Sequence, residues 1–317
     1  MQLFLSSQFT ADALCIGGIN LDRKLKALQS LHAASSNACI ASESPGGVAR
    51  NVAENLARLG LQVSLIGHVS QDAAAHAVLA PLRELGVNTD ACLVSQTGST
   101  GSYTAVLDAQ GQLRIGMADM ALTELLTPEL LSPVMKDRTA KLWMADMNLP
   151  ASSLAWLGAL AHGKQERLVM LAVSEPKMQR LPEDLRGVDT LVLNRAELAT
   201  LCVSLGWQQE PTAVKAAFIQ LHAAGLERLV VTLGEHGVAC IEAGNAHETK
   251  LMPEPSQAFT IVDVSGAGDA FCAGLCASYL RYPLDALGKH VQRAMRLGLL
   301  TVQSPYTVSH AITPDLI

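Results

Sequence analysis

The stretch Asp263-Val264-Ser265-Gly266-Ala267-Gly268-Asp269-Ala270-Phe271 sets a glycine-rich turn directly in front of an apolar segment that continues to Leu280. The first N–H groups of a helix have no partner within it, and the helix dipole favours negative charge at that end. Gly266, Ala267 and Gly268 carry no bulk that would hold an anion off, so the turn predicts a phosphate-sized anion site. Asp269 does not suit a simple phosphate cradle, because a carboxylate repels such a ligand. It makes sense there if it takes a proton from a hydroxyl that attacks the phosphate held next to it. Capping the helix is the competing role for Asp269, although Ser265 could cap equally well. The chain contains neither a GxxxxGK[ST] loop nor a GxGxxG fingerprint, so Walker-type phosphate binding and the usual dinucleotide loop are both excluded.

Outward from this turn, short β-rich runs alternate with longer helical ones. Strands are expected over 13–17, 63–67, 141–145, 167–173, 190–193, 228–233 and 238–241. Helices are expected over 48–59, 72–85, 152–161, 196–201, 211–224, 268–280 and 284–300. In the first helix Val48, Val52, Leu56 and Leu59 form one apolar stripe, leaving Asn51 and Asn55 on another face. The alternation predicts an α/β fold with a mostly parallel sheet covered by helices on both faces. It breaks at about 23–44 and 88–120, where a hairpin of 103–107 and 113–117 is expected around Asp108-Ala109-Gln110-Gly111. These insertions predict a small β lid on one domain spanning 1–317.

The 317 residues are 49% hydrophobic and 16% charged, enough apolar material for a packed enzyme-sized core. A formal net charge of −6, without a run of basic residues, gives no pull toward nucleic acid or an acidic membrane. A small molecule is the expected partner. The seven cysteines are scattered without a CxxC pair, which predicts reduced thiols and a cytoplasmic protein. Cys272 and Cys276 share a helix face, as half a metal site or, more simply, as core residues. The start MQLFLSSQF lacks a basic region and a long apolar run, so neither processing nor membrane insertion is expected.

Asp263 to Gly274 (DVSGAGDAFCAG) resembles the C-terminal signature of the ribokinase-like (PfkB) kinases, and PGGVARNVAENLARLG, with Gly46, Gly47 and Asn51, resembles their N-terminal signature. The two lie more than 200 residues apart, and the resemblance spans nearly the whole chain. It implies a ribokinase-like fold, ATP and Mg²⁺ as cofactors, and a sugar or nucleoside alcohol as acceptor. By that resemblance Asp269 is the general base and Gly266, Ala267 and Gly268 hold the γ-phosphate. Asp22, in Gly17-Gly18-Ile19-Asn20-Leu21-Asp22, then holds sugar hydroxyls with Asn20, Gly46, Gly47 and Asn51. Asn194 and Glu197 resemble the family NxxE motif that organises the phosphates and, through water, Mg²⁺; Asn at a helix start with Glu three later is equally a plain capping arrangement. Thr232, Gly234 and Gly237 resemble the nucleotide-binding turn. Asp263 and Ser265 correspond to a monovalent-cation loop, for K⁺ for example, without indicating whether this chain needs the ion.

The version GGVARNVAENLARLG resembles the pseudouridine kinase subgroup, as do Ala118-Asp119-Met120, Asp146-Met147-Asn148, and Val173-Ser174 with Lys177. Asp119, Asn148 and Lys177 are then candidate substrate contacts, and the 5′-hydroxyl of pseudouridine the expected acceptor. Leu171-Ala172 depart from the acidic residue and proline that commonly precede Val-Ser in the subgroup, and Thr307-Val308-Ser309-His310 lacks its asparagines. Ribose, adenosine, inosine or a sugar acid are the rival acceptors, and a noncatalytic nucleoside sensor the rival of another class. A homodimer through the exposed lid sheet is expected.

Overall fold

The computed structural model describes residues 9–136, 138–207, 214–252 and 260–317. Among these, the large sheet has eight strands in the order Asn245–Leu251, Val238–Glu242, Arg228–Thr232, Val188–Asn194, Arg167–Leu171, Arg138–Asp146, Phe9–Ile16 and Val63–Ile66. The six from Arg228–Thr232 to Val63–Ile66 pair in parallel, and the two at the far edge are antiparallel. Side chains alternate across a strand, and both faces are buried. Ala13, Cys15, Leu142 and Met144 point into one apolar cluster; Leu14, Ile16, Trp143 and Ala145 point into the other. Helices Val48–Arg58, Ala73–Glu84, Ala267–Arg281 and Leu287–Val302 close the first cluster. Helices Pro128–Met135, Ala151–Lys164, Arg195–Ser204 and Val214–Ala223 close the second. The last begins, as described, at Val214; its expected first residues, 211–213, lie outside the described residues. Cys272 and Cys276 are wholly buried within the first cluster.

A second sheet takes the strands Cys39–Gly46, Asn20–Ala27, Gly101–Leu107 and Leu113–Asp119 in that order. It contains the expected hairpin and two strands that composition alone did not announce. NLDRKLKA, mostly half-buried, and CIASESPG, mostly exposed, mix charged, polar and small residues and lack the apolar run that marks a core strand. The short strand Leu93–Ser95 pairs with His68–Ser70 instead of joining this sheet.

The chain leaves Phe9–Ile16 toward the Val63–Ile66 edge, and leaves the neighbouring Arg138–Asp146 toward Arg167–Leu171 on the opposite side. A crevice opens outside strand C-termini where connections diverge in this way. At its floor lies the fully buried Asp146. Its Oδ2 accepts from Gly18 N at 2.9 Å and Ala49 N at 2.7 Å, and its Oδ1 from Asn148 N at 2.9 Å. Helix Val48–Arg58 starts at Gly47, φ 101°, without a side-chain cap of its own, so a carboxylate from a distant strand does the capping. Asp146→Ala strands those amides in the core and is expected to lower the unfolding free energy by about 2–4 kcal/mol in urea titration.

Candidate active site

Helix Ala267–Arg281 begins at Gly266, which has φ 76° and no side-chain cap. Only glycine suits that position, because a Cβ would also strike the Thr307 carbonyl. At Gly268 a Cβ would meet nothing within 4 Å, so the start of the helix faces open space on that side. Asp269 lies in the first turn, half-buried, and its Oδ2 accepts from Asn51 Nδ2 at 2.8 Å. Burial pushes its carboxyl up to about 7; the Asn51 bond works against that, and the nearby Asp146 and Asp22 carboxylates add to it.

Asn51 sits one turn into helix Val48–Arg58, 3% exposed. Its Oδ1 accepts from Arg50 at 3.3 Å, which leaves the amide nitrogen facing Asp269. Arg50 is itself buried, paired with Glu54, and reaches the Val78 carbonyl. Nothing in its type announced this, since a solvated arginine is the commoner case on a helix.

Across the crevice, Asn20 donates to Asp22 Oδ1 at 2.5 Å. Burial raises the Asp22 carboxyl, partly offset by Asn20 and the Lys24 and Arg50 charges. Gly46 lies opposite Asn20 in the sheet, and a Cβ on it would run into the Asp22 carboxylate; one on Gly47 would run into the Gly18 carbonyl. The structure thus brings Asn20, Asp22, Gly46, Gly47, Asn51 and the 266–269 turn around one crevice.

Asn148 and Lys177 join it from below. Lys177, on the 3₁₀ turn Glu175–Arg180, donates to Asn148 Oδ1, and Asn148 Nδ2 lies against Gly18. Burial lowers the Lys177 ammonium, while the Asp146 carboxylate works to keep it charged. Asp119 stands apart. It pairs with Ser102, while Asp22 pairs with Tyr103, so the two carboxylates project from opposite faces of the small sheet. The Asp119 carboxylate instead accepts from Ala121 N at 3.2 Å.

Asn194 and Glu197 form a full capping box at the start of Arg195–Ser204, with Glu197 N on Asn194 Oδ1 at 2.9 Å and Asn194 N on Glu197 Oε2 at 2.7 Å. Burial raises the Glu197 carboxyl. Among the described residues no three His, Cys, Asp or Glu gather closely enough to grip a metal. This donor set suits a magnesium ion carried by a nucleotide's phosphates better than one caged by protein. Thr232 ends its strand, and Gly234 (φ 61°) and Gly237 (φ 84°) make the turn after it; a Cβ on Gly237 would strike the Leu251 carbonyl.

The loop assigned by resemblance to a monovalent cation does not suit one. Asp263 Oδ1 accepts from Ser265 N at 2.9 Å, and Lys24 Nζ meets Oδ2 at 2.5 Å. Burial works to raise the Asp263 carboxyl, but Lys24 and the Ser265 amide and hydroxyl prevail and hold it below the ordinary value.

The pattern of the pfkB family carbohydrate kinases matches residues 10–314. The chain belongs to this family. It is similar to the pseudouridine kinase of Escherichia coli (strain K12), with 31% identity over 84% of this chain and 82% of that one. It is also similar to an uncharacterized sugar kinase of the same organism, 35% identical over 75% of this chain and 64% of that one. The structure of Arabidopsis thaliana ribokinase complexed with ribose and ATP shares the fold, with a TM-score of 0.79 over 97% of both chains at 18% identity. The pfkB membership makes the chain a sugar or nucleoside kinase of an ATP-using family. Among the described residues no helix is long and apolar enough to cross a membrane.

A base must be unprotonated to act, so with Asp269 in that role kcat/KM should rise with pH through about 7. The Asn51 amide favours the charged carboxylate, so Asn51→Ala should move this acid limb to higher pH in a pH–rate profile.

Proposed function

We propose that this chain transfers the γ-phosphate of ATP to the 5′-hydroxyl of pseudouridine. The observation that carries the kinase chemistry is Asp269, poised near neutrality and held by Asn51 beside the open turn at Gly268. The acceptor hydroxyl gives its proton to Asp269 as its oxygen attacks the γ-phosphorus, and the bond to the β-phosphate oxygen breaks to release ADP. The Gly266–Gly268 amides take up the charge on the transferring group. Glu197 would hold, through water, a Mg²⁺ bound with ATP, which would supply positive charge against the phosphates. Thr232, Gly234 and Gly237 border the nucleotide.

Asp22 accepts two hydroxyl hydrogens of the ribose, with Asn20 fixing its orientation and Gly46 and Gly47 admitting the sugar. With Asn148 Oδ1 already taken by Lys177, the two side chains present donors, which suits the carbonyl edge of a uracil ring. The likeness to the E. coli pseudouridine kinase supports this choice of acceptor. In this reading residues 1–317 act as one domain, with the small sheet as lid, and closing it keeps water from the phosphate.

Asp269→Ala should lower turnover roughly 10²–10⁴-fold with little change in acceptor KM. ADP release against a panel of free sugars and nucleosides checks the acceptor. Pseudouridine should lead; ribose or adenosine strongly outpacing it would overturn the substrate, and no acceptor-dependent ADP at all would favour a sensor.

Ile115 and Met117, 54% and 65% exposed, share the lid face turned away from Asp22. We assign this face to a second copy of the chain, because an open apolar sheet face needs covering. Sedimentation should show a dimer that Met117→Glu shifts toward monomer.

A further inference from the structure

Lys24 is two residues beyond Asp22 on the same strand and therefore on the same face of the small sheet. Its ammonium crosses to Asp263, 239 positions away in sequence, at 2.5 Å. The two side chains are 37% and 27% exposed, so the pair is shielded in part from solvent and salt.

Asp263 stands three residues before Gly266, where a bare carboxylate would oppose any phosphate in the adjoining pocket. Its Oδ1 meanwhile anchors the Ser265 amide and so shapes the turn that delivers Gly266. The turn needs this carboxylate for its geometry and needs its charge cancelled for its chemistry. A cation beside Oδ2 meets both needs, and Lys24 supplies one covalently attached to the chain. Among the described residues the cation that meets Asp263 is Lys24.

We propose that Lys24 is a positioning residue that serves as the anion turn's built-in monovalent cation, so that phosphoryl transfer by this protein is independent of potassium. The activity part rests on the kinase reading above; the charge arrangement does not. Because the ammonium rides on the strand that carries Asn20 and Asp22, the turn is completed when that strand is in place over the crevice. Acceptor binding at Asp22 and phosphate binding at Gly266 are thereby coupled through one ion pair.

The test compares the native protein, Lys24→Met and Lys24→Arg in potassium chloride and in tetramethylammonium chloride of equal ionic strength. Two measurements are made, acceptor-dependent ADP release and the thermal midpoint. The native protein and Lys24→Arg should give rates in the two salts within about two-fold of each other, and equal midpoints. Lys24→Met should lose roughly ten-fold or more in tetramethylammonium and regain several-fold of that in potassium. Its midpoint should also rise in potassium alone, as ion binding to the folded state requires. A native protein that is activated or stabilised specifically by potassium overturns the proposal, and so does a Lys24→Met variant indifferent to the ion. If no acceptor yields ADP, the kinase reading fails, and the thermal midpoints still decide the role of Lys24.

Discussion

The Asp146 carboxylate holds the amides of Gly18, Ala49 and Asn148, which belong to the end of the first strand, the first helix and the loop after its own strand. Each functional position of the crevice is measured from one of those three points. Gly17 and Gly18 lead into Asn20 and Asp22; a Cβ on Gly17 would occupy the space of the Asp146 carboxylate, and one on Gly18 that of the Asn148 amide. Ala49 fixes the start of the helix, which places Asn51 one turn in and against Asp269. Asn148 carries the contact to Lys177. Burial raises the Asp146 carboxyl, while the three amides and the Lys177 ammonium all favour its charged form.

That anion has an electrostatic consequence. Asp22, Asp146 and Asp269 converge, and each of the other two raises the Asp269 carboxyl beyond what burial does. The cations are arranged so that this repulsion is incompletely cancelled at the base. Arg50 and Lys24 favour the charged form of Asp22, and Lys177 that of Asp146, while Asp269 has only the neutral Asn51 amide. The group left near neutrality is the one that takes the proton in the proposed reaction. A proton acceptor works best when its pKa is close to the ambient pH, so the imbalance suits Asp269 to the proposed role.

Much of this was legible in the sequence, and the limits follow from the physics of each signal. The large sheet declared itself because strands such as Arg167–Leu171 are buried on both faces and must be apolar throughout. Val52, Leu56 and Leu59 appear in the core as their spacing required, leaving Asn51 free to face Asp269. The β lid expected at 23–44 holds the strands Asn20–Ala27 and Cys39–Gly46, whose bounds no apolar run marks, and the edge strand Asn245–Leu251 carries no hydrophobic signature to announce it. Asp146, Arg50 and Lys24 were overlooked as site residues for another reason. The roles of Asp146 and Lys24 exist only through partners 97 and 239 residues away, while Arg50 pairs locally with Glu54 and Asn51 and is set apart by a burial unusual for arginine. Asp119 shows the converse: its sequence context suggests a ligand, while the period of two along its strand turns it to the other face.

The Leu171-Ala172 departure fits the same electrostatic picture. Leu171 is 5% exposed and packs in the cluster that also holds Met144 and Phe271, next to Asp146 across the sheet. An acidic residue there would bring a further carboxylate to a floor already crowded with them. With Leu171 there, the Lys177 charge is supported by Asp146 and Glu124, and its hydrogen bond goes to Asn148. Ala172 donates its N–H to the Val192 carbonyl at 2.9 Å, a bond that proline cannot make. Leu171 leaves the crevice floor without a further carboxylate, and the Ala172 bond extends the parallel ladder by a residue toward Ser174.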